Sequence, residues 1–193
     1  MRLDSKVIAI TGGSQGLGRA LAKACCREGA RVAIIGRDFH KLESVRKEIG
    51  ERVVCFPCDI GDSVEVSNTF KKIEAQMGGL DALVNNAGIY PIFKLETASD
   101  EQLRSVINTN LLGAMYACRE AIPLLKKSRG DIINVSSEAV RFYPPLLSVY
   151  TASKSALEAF SQSLRVELAP SGVRVAALRV GHLLREDPSP LDD

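Results

Sequence analysis

Apolar runs and amphipathic stretches alternate along all 193 residues of the chain. Val, Ile and Ala dominate 6–11 (KVIAIT), 31–36 (RVAIIG), 52–57 (RVVCFP), 80–86 (LDALVNN), 131–137 (DIINVSS) and 173–180 (VRVAALRV). These runs are short and continuously apolar, which predicts strands covered on both faces. Between them, 16–28, 39–49, 63–77, 99–128 and 149–169 carry the spacing of helices that bury one stripe. The fourth of these reads as one long helix or two short ones. Six strands and five helices in strict alternation predict an α/β fold, a doubly wound parallel sheet in three layers with helices on both sides. One domain over 1–181 is expected, followed by a polar, Pro-broken tail at 182–193 that should fray.

Composition narrows the function. The net charge is +2 and no block of like charges occurs, which argues against nucleic acid or an anionic membrane surface as partner. No apolar run reaches the roughly 18 residues of a membrane span. The N-terminus enters a strand at once, leaving no room for a signal core, so a cytoplasmic protein is expected. Five cysteines at 25, 26, 55, 58 and 118 are an odd, irregular set that builds no closed disulfide framework. The C-x-x-C at 55–58 lies in an apolar run without a second pair, and reads as buried thiols rather than a redox or zinc motif. His40 and His182 have no metal-ligand spacing to a carboxylate or cysteine, so no metal site is expected.

Two places carry candidate chemistry. TGGSQGLG (11–18) joins the first strand to the first helix. Gly12, Gly16 and Gly18 suit a sharp turn that brings bare backbone and a helix N-terminus against a phosphate. Leu21 breaks the strict G-x-G-x-x-G pattern, so the loop alone is a moderate signal beside an unliganded glycine turn. At the end of strand 2, where a ribose would lie, stands Arg37, a planar cation suited to a 2′-phosphate. This favours NADP(H), with NAD possible because Asp38 follows and can turn toward the ribose hydroxyls. An ordinary exposed arginine is the competing reading.

The second place is SVYTASKSAL. Tyr150 and Lys154 are four residues apart on one helical face. A cation there is expected to lower the tyrosine pKa from about 10 and prepare it to give or take a proton. Ser137 ends the preceding strand, and strand C-termini are where such sheets bind ligands. Alternation puts Ser136 on the opposite side.

Taken together, these pieces resemble a classical short-chain dehydrogenase/reductase. The resemblance runs from Thr11 to about Gly181 and rests on TGGSQGLG, CDIGD with Asp59, NNAG (85–88), Asn110 in NTNLLGA, Ser137 in NVSSEA, and YTASK. It implies a Rossmann fold and a carbonyl/alcohol oxidoreductase with Tyr150 as general acid/base. Ser137 would hold the substrate oxygen, Lys154 the nicotinamide ribose, and Asn110 a water behind Lys154. It implies cofactor contacts from Thr11, Gly12, Ser14, Gln15, Gly16, Leu17 and Gly18, from Asp59 to the adenine, and from Ile60, Asn86, Ala87, Gly88 and Gly181. The chain departs from the family after strand 6. Val180-Gly181 stands where a Pro-Gly step is usual, no threonine follows, and the usual lid and seventh strand are absent. A catalytically impaired nucleotide- or partner-binding protein is therefore the alternative to an active enzyme. The apolar loop EAVRFYPPLL (138–147) suits a hydrophobic small-molecule substrate. The family also implies a homodimer or tetramer through the 100–128 and Tyr150 helices.

Overall fold

Residues 1–181, the part that the computed structural model describes, contain six strands and seven α-helices. The strands are β1 (Val7–Thr11), β2 (Arg31–Gly36), β3 (Val53–Pro57), β4 (Ala82–Asn85), β5 (Asp131–Ser137) and β6 (Arg174–Val180). The helices are α1 (Gly16–Arg27), α2 (Phe39–Ile49), α3 (Ser63–Met77), α4 (Asp100–Ile107), α5 (Gly113–Ser128), α6 (Ala139–Phe142) and α7 (Ser148–Leu168). The expected fraying tail, with His182, lies outside the described residues.

Every strand pair is parallel, in the order β3-β2-β1-β4-β5-β6. Side chains alternate along each strand and feed two cores. On one face Ala9, Ile35, Phe56, Leu83 and Ile132 pack against Phe70, Ile73, Leu125 and Leu164 from α3, α5 and α7. On the other, Ile10, Val32, Ile34 and Val84 pack against Ala22, Leu42 and Val45 from α1 and α2. This is the doubly wound, three-layered Rossmann arrangement. Strand order reverses between β1 and β4, so their C-terminal loops diverge and leave a crevice at the sheet edge where such folds take ligands.

Helix starts follow local chemistry. Asp38 caps α2 by accepting from the Lys41 amide, and Asp62 caps α3 by accepting from the Val64 and Glu65 amides. Ser99 and Gln102 form a reciprocal capping box on α4. Two features differ from the sequence expectation. The 99–128 stretch is neither one helix nor two separate ones, because a π-helical turn, Asn108–Leu112, links α4 to α5. The 138–147 loop contains α6, started when Ser137 Oγ accepts from the Ala139 amide and stopped at Tyr143, which takes a left-handed conformation before two prolines.

Candidate active site

The loop after β1 is shaped by what cannot fit there. A methyl on Gly18 would collide with the Gly12 carbonyl oxygen and lie 2.7 Å from Asn86 Nδ2. A methyl on Gly12, whose φ is +67°, would lie 2.9 Å from Ala87 Cα. Turn, helix and the tip of β4 are thus in backbone contact, which only glycine permits. Gly13, which the sequence reading passed over, is as tight: its Cβ would sit 2.7 Å from Ile34 on β2. The doubled glycine was the available signal. Unlike α2, α3 and α4, helix α1 opens at Gln15 with no side-chain cap. Its first amides therefore have no side-chain acceptor among the described residues and are left as donors for an anion. Ser14 lies near Gly36, Gln15 is exposed, and Leu17 anchors the helix on the α1/α2 core.

Thr11 and Asn86 hold this loop from inside, a role the sequence reading did not assign them. Thr11 is buried and its Oγ1 accepts from the Asn86 and Ala87 amides, 3.0 Å each. The Asn86 amide donates to the Thr11 and Gly12 carbonyls at 3.0 and 3.2 Å. These side chains tie β1 to β4.

Farther along the crevice, Arg37 is exposed and makes no ion pair with the described residues. Asp38 is committed to its cap. Asp59 is half-buried; one carboxylate oxygen accepts from the Gly61 amide at 2.9 Å, and the other is unengaged by described residues. The Ile60 side chain is buried against Gly113, so only its backbone faces the crevice. The donor set fits a dinucleotide: uncapped amides for the pyrophosphate, a cation at the ribose end and a carboxylate at the base end. Gly181 is exposed at the tip of β6, beside Glu138, whose amide bonds Val180 O at 3.0 Å.

At the tip of β5 the expected catalytic set converges. Tyr150 sits in the first turn of α7, and its phenol lies near enough to the Ser137 hydroxyl for that group to pull the phenol's pKa down. Ser136 points the other way, donating to Glu158 at 2.7 Å, which rules it out as the substrate-facing serine. Lys154 is 4% exposed and donates to the Val135 carbonyl at 2.8 Å. Its Nζ is 6.0 Å from the Tyr150 ring centre. A methyl on Gly88 would touch both Lys154 Nζ (3.3 Å) and Asn110 Oδ1 (3.4 Å), so this glycine lets loop, lysine and asparagine meet. Asn110 lies in the π-helical turn, a distortion common at functional sites. Its Oδ1 accepts from the Ile89 amide at 2.8 Å, and its Nδ2 donates to Ile89 O and Ser153 Oγ at 2.9 and 3.1 Å. The residue clamps the loop after β4 to α7, which the sequence reading did not foresee. One lone pair remains on Oδ1.

The electrostatics correct one expectation of the sequence. The Tyr150 pKa is raised, not lowered: burial dominates, the Ser137 hydrogen bond opposes it, and the neighbouring Tyr90 adds to it. Lys154 does not reverse this, because burial pushes its own pKa down to about 8 while its ammonium turns to Val135. The thiols are inert. Burial drives Cys55 and Cys118 up to about 12, and all five cysteines are free. Among the described residues no cluster of three metal-ligating side chains occurs, and no helix is long and apolar enough to cross a membrane.

A profile of the family described as short chain dehydrogenase matches residues 6–185. The chain belongs to the short-chain dehydrogenase family. Among relatives, a 3-oxoacyl-[acyl-carrier-protein] reductase of Bos taurus is 37% identical over 92% of this chain and 76% of its own length. Carbonyl reductase family member 4 of Xenopus laevis is 33% identical over 98% of this chain and 80% of its own. A crystal structure of 3-ketoacyl-(acyl-carrier-protein) reductase from Brucella melitensis, complexed with NADH, superposes with a TM-score of 0.89 at 32% identity, covering 93% of this chain and 76% of that one. This short-chain dehydrogenase thus carries at one strand edge the groups that its sequence placed far apart: Gly12–Gly18, Asn110, Ser137, Tyr150 and Lys154. Missed by sequence reasoning were Ser153, which joins Asn110 to α7, and Tyr90, whose ring stands edge-on to Tyr150 at 6.1 Å.

Proposed function

We propose that the protein is an NADP(H)-dependent oxidoreductase that reduces a hydrophobic carbonyl compound to an alcohol, with Tyr150 as general acid. The observation that carries the reading is that Ser137 at the end of β5, Tyr150 in the first turn of α7 and a buried Lys154, whose Nζ lies 6.0 Å from the Tyr150 ring centre, meet at the strand tips. A carbonyl oxygen placed between the two hydroxyls accepts a hydrogen bond from each, and both bonds strengthen as negative charge gathers on it. When bound, the nicotinamide supplies the hydride. Tyr150 then gives its proton to the alkoxide oxygen. A raised pKa keeps that phenol protonated at neutral pH, which supports the reducing direction. Lys154, near neutrality in pKa, holds a proton beside the phenol and can return it.

Arg37 supports NADP(H) over NAD(H), since it makes no ion pair among the described residues and Asp38 is occupied as a cap. Five free thiols fit a reducing compartment such as the cytoplasm. Association into a dimer through α5 and α7 belongs to the same reading, and would cover the exposed Val166. The test is NADPH consumption with a panel of ketones and aldehydes, together with calorimetry. Turnover that Tyr150→Phe abolishes supports the proposal. Tight NADPH binding with no turnover would instead make the protein a nucleotide-binding one.

A further inference from the structure

Beside Tyr150 stands a second phenol that this scheme does not use. Tyr90 follows Ile89, which Asn110 brackets with two hydrogen bonds of 2.8 and 2.9 Å, so its backbone is fixed. Its ring meets that of Tyr150 at 64°, and it remains 42% exposed. Part of the ring surface is therefore open to whatever approaches the Tyr150 hydroxyl.

The surroundings continue that surface. Ile92, Phe142, Tyr143 and Leu146 are exposed, Phe142 and Tyr143 by 75% and 71%. The Phe93 amide bonds the Leu146 carbonyl at 3.2 Å, stitching the loop after β4 to the loop after α6. Tyr143 and Leu146 have φ of 49° and 65°, a region that bulky residues rarely enter. Such strain persists where the surroundings impose it, and it marks binding sites more often than plain loops. The cations next in sequence are neutralised. Lys94 lies 3.8 Å from Glu96, and Arg141 lies 3.7 Å from Glu138. The mouth offers ring surface and little net charge.

We infer that Tyr90 is the specificity wall of the pocket, and that the substrate carries an aromatic ring next to its carbonyl carbon. The inference rests on the reductase reading above. With the carbonyl oxygen between Ser137 and Tyr150, a substituent on the Tyr90 side falls within the 4.5–7 Å range at which rings pair edge-on or offset. An aryl group there completes a three-ring cluster with Tyr90 and Tyr150. A saturated ring of the same size gains only burial.

The test compares acetophenone with cyclohexyl methyl ketone, which share a shape but not a π-system, in wild type, Tyr90→Phe and Tyr90→Leu. Wild type is expected to prefer the aryl ketone in KM. Tyr90→Leu should raise the aryl-to-cyclohexyl KM ratio by about two- to tenfold, while Tyr90→Phe keeps the ratio within about twofold. An equal loss on both ketones in Tyr90→Leu, or no aryl preference in wild type, overturns the inference. If wild type turns over neither ketone, the reductase reading is judged separately on the wider panel of ketones and aldehydes. Calorimetry of acetophenone with the NADPH-loaded protein then decides the wall: binding weakened in Tyr90→Leu and retained in Tyr90→Phe upholds it, and undiminished or absent binding overturns it.

Discussion

Replacing Lys154 by methionine is expected to stabilise the nucleotide-free protein while removing its activity. The ammonium is buried, and burial pushes its pKa from the ordinary 10.5 down to about 8. Below pH 8 the lysine is charged in both folded and unfolded chains, and the folded chain carries the whole penalty of burying that charge. The displacement is about 2.5 pH units at about 1.36 kcal/mol each, on the order of 3 kcal/mol. Loss of the hydrogen bond to Val135 offsets about 1 kcal/mol of this, leaving a gain of about 2 kcal/mol. For a chain of this size that is a rise in Tm of about 4–8 °C at pH 7. The sign with pH follows. Between pH 8 and 10.5 the unfolded lysine binds a proton that the folded one has released, so wild-type stability climbs as pH rises. The advantage of Lys154→Met should therefore shrink above pH 8 and close by about pH 10. Thermal and urea unfolding of both proteins at pH 7, 8, 9 and 10 provide the assay. A methionine variant less stable than wild type at pH 7, or a difference that stays flat with pH, would refute the reasoning.

Other outcomes follow from the same geometry. Gly18→Ala drives a methyl into the Gly12 carbonyl and should cost about 1–3 kcal/mol in urea unfolding and abolish NADPH binding by calorimetry, whereas Gly16→Ala meets nothing within 4 Å and carries only the strain of its φ of +51°, so it should be milder in both. Arg37→Glu should weaken NADPH by about 10- to 100-fold and NADH much less; equal weakening would remove the 2′-phosphate assignment. Asn134→Ala removes the acceptor of the Asn85 amide and the donor to Ser161, both at 2.8 Å inside the core. It should cost about 2–4 kcal/mol in urea unfolding, and a loss below about 1 kcal/mol would show that this buried network is not structural.

Continuously apolar strands are the easiest elements to read, and β1, β2, β3, β5 and β6 lie within a residue of where their apolar runs placed them, although β6, at the sheet edge, is not covered on both faces as expected: only Val175 within it is buried. Helix α7 was legible because its apolar spacing opens next to Tyr150. Less legible was anything that depends on two distant segments. Nothing local in NTNLLGA specifies a π-helical turn; it forms where Asn110 reaches both Ile89 and Ser153. Thr11 borders the glycine loop in sequence, but that its hydroxyl accepts from amides 75 and 76 positions away is visible only in the fold. The Tyr150 pKa was misjudged for a related reason: the spacing to Lys154 is visible in sequence, but the burial that outweighs it and the carbonyl that captures the lysine are not. Asn134, a polar residue within the apolar run of β5, was the sequence signal for the buried network, and Tyr90 gave its signal as an aromatic directly after NNAGI.

The central claim is that a nucleotide lies across the β1–β4 crevice with its reactive carbon facing the Ser137–Tyr150 pair. Deuteride transfer tests it most directly. The protein is incubated with NADPH carrying deuterium at both C4 positions and an aryl ketone, and the alcohol is examined by NMR. The account predicts one deuterium on the carbinol carbon with wild type and none with Tyr150→Phe. An alcohol formed without deuterium there, or formed equally well by Tyr150→Phe, would contradict it.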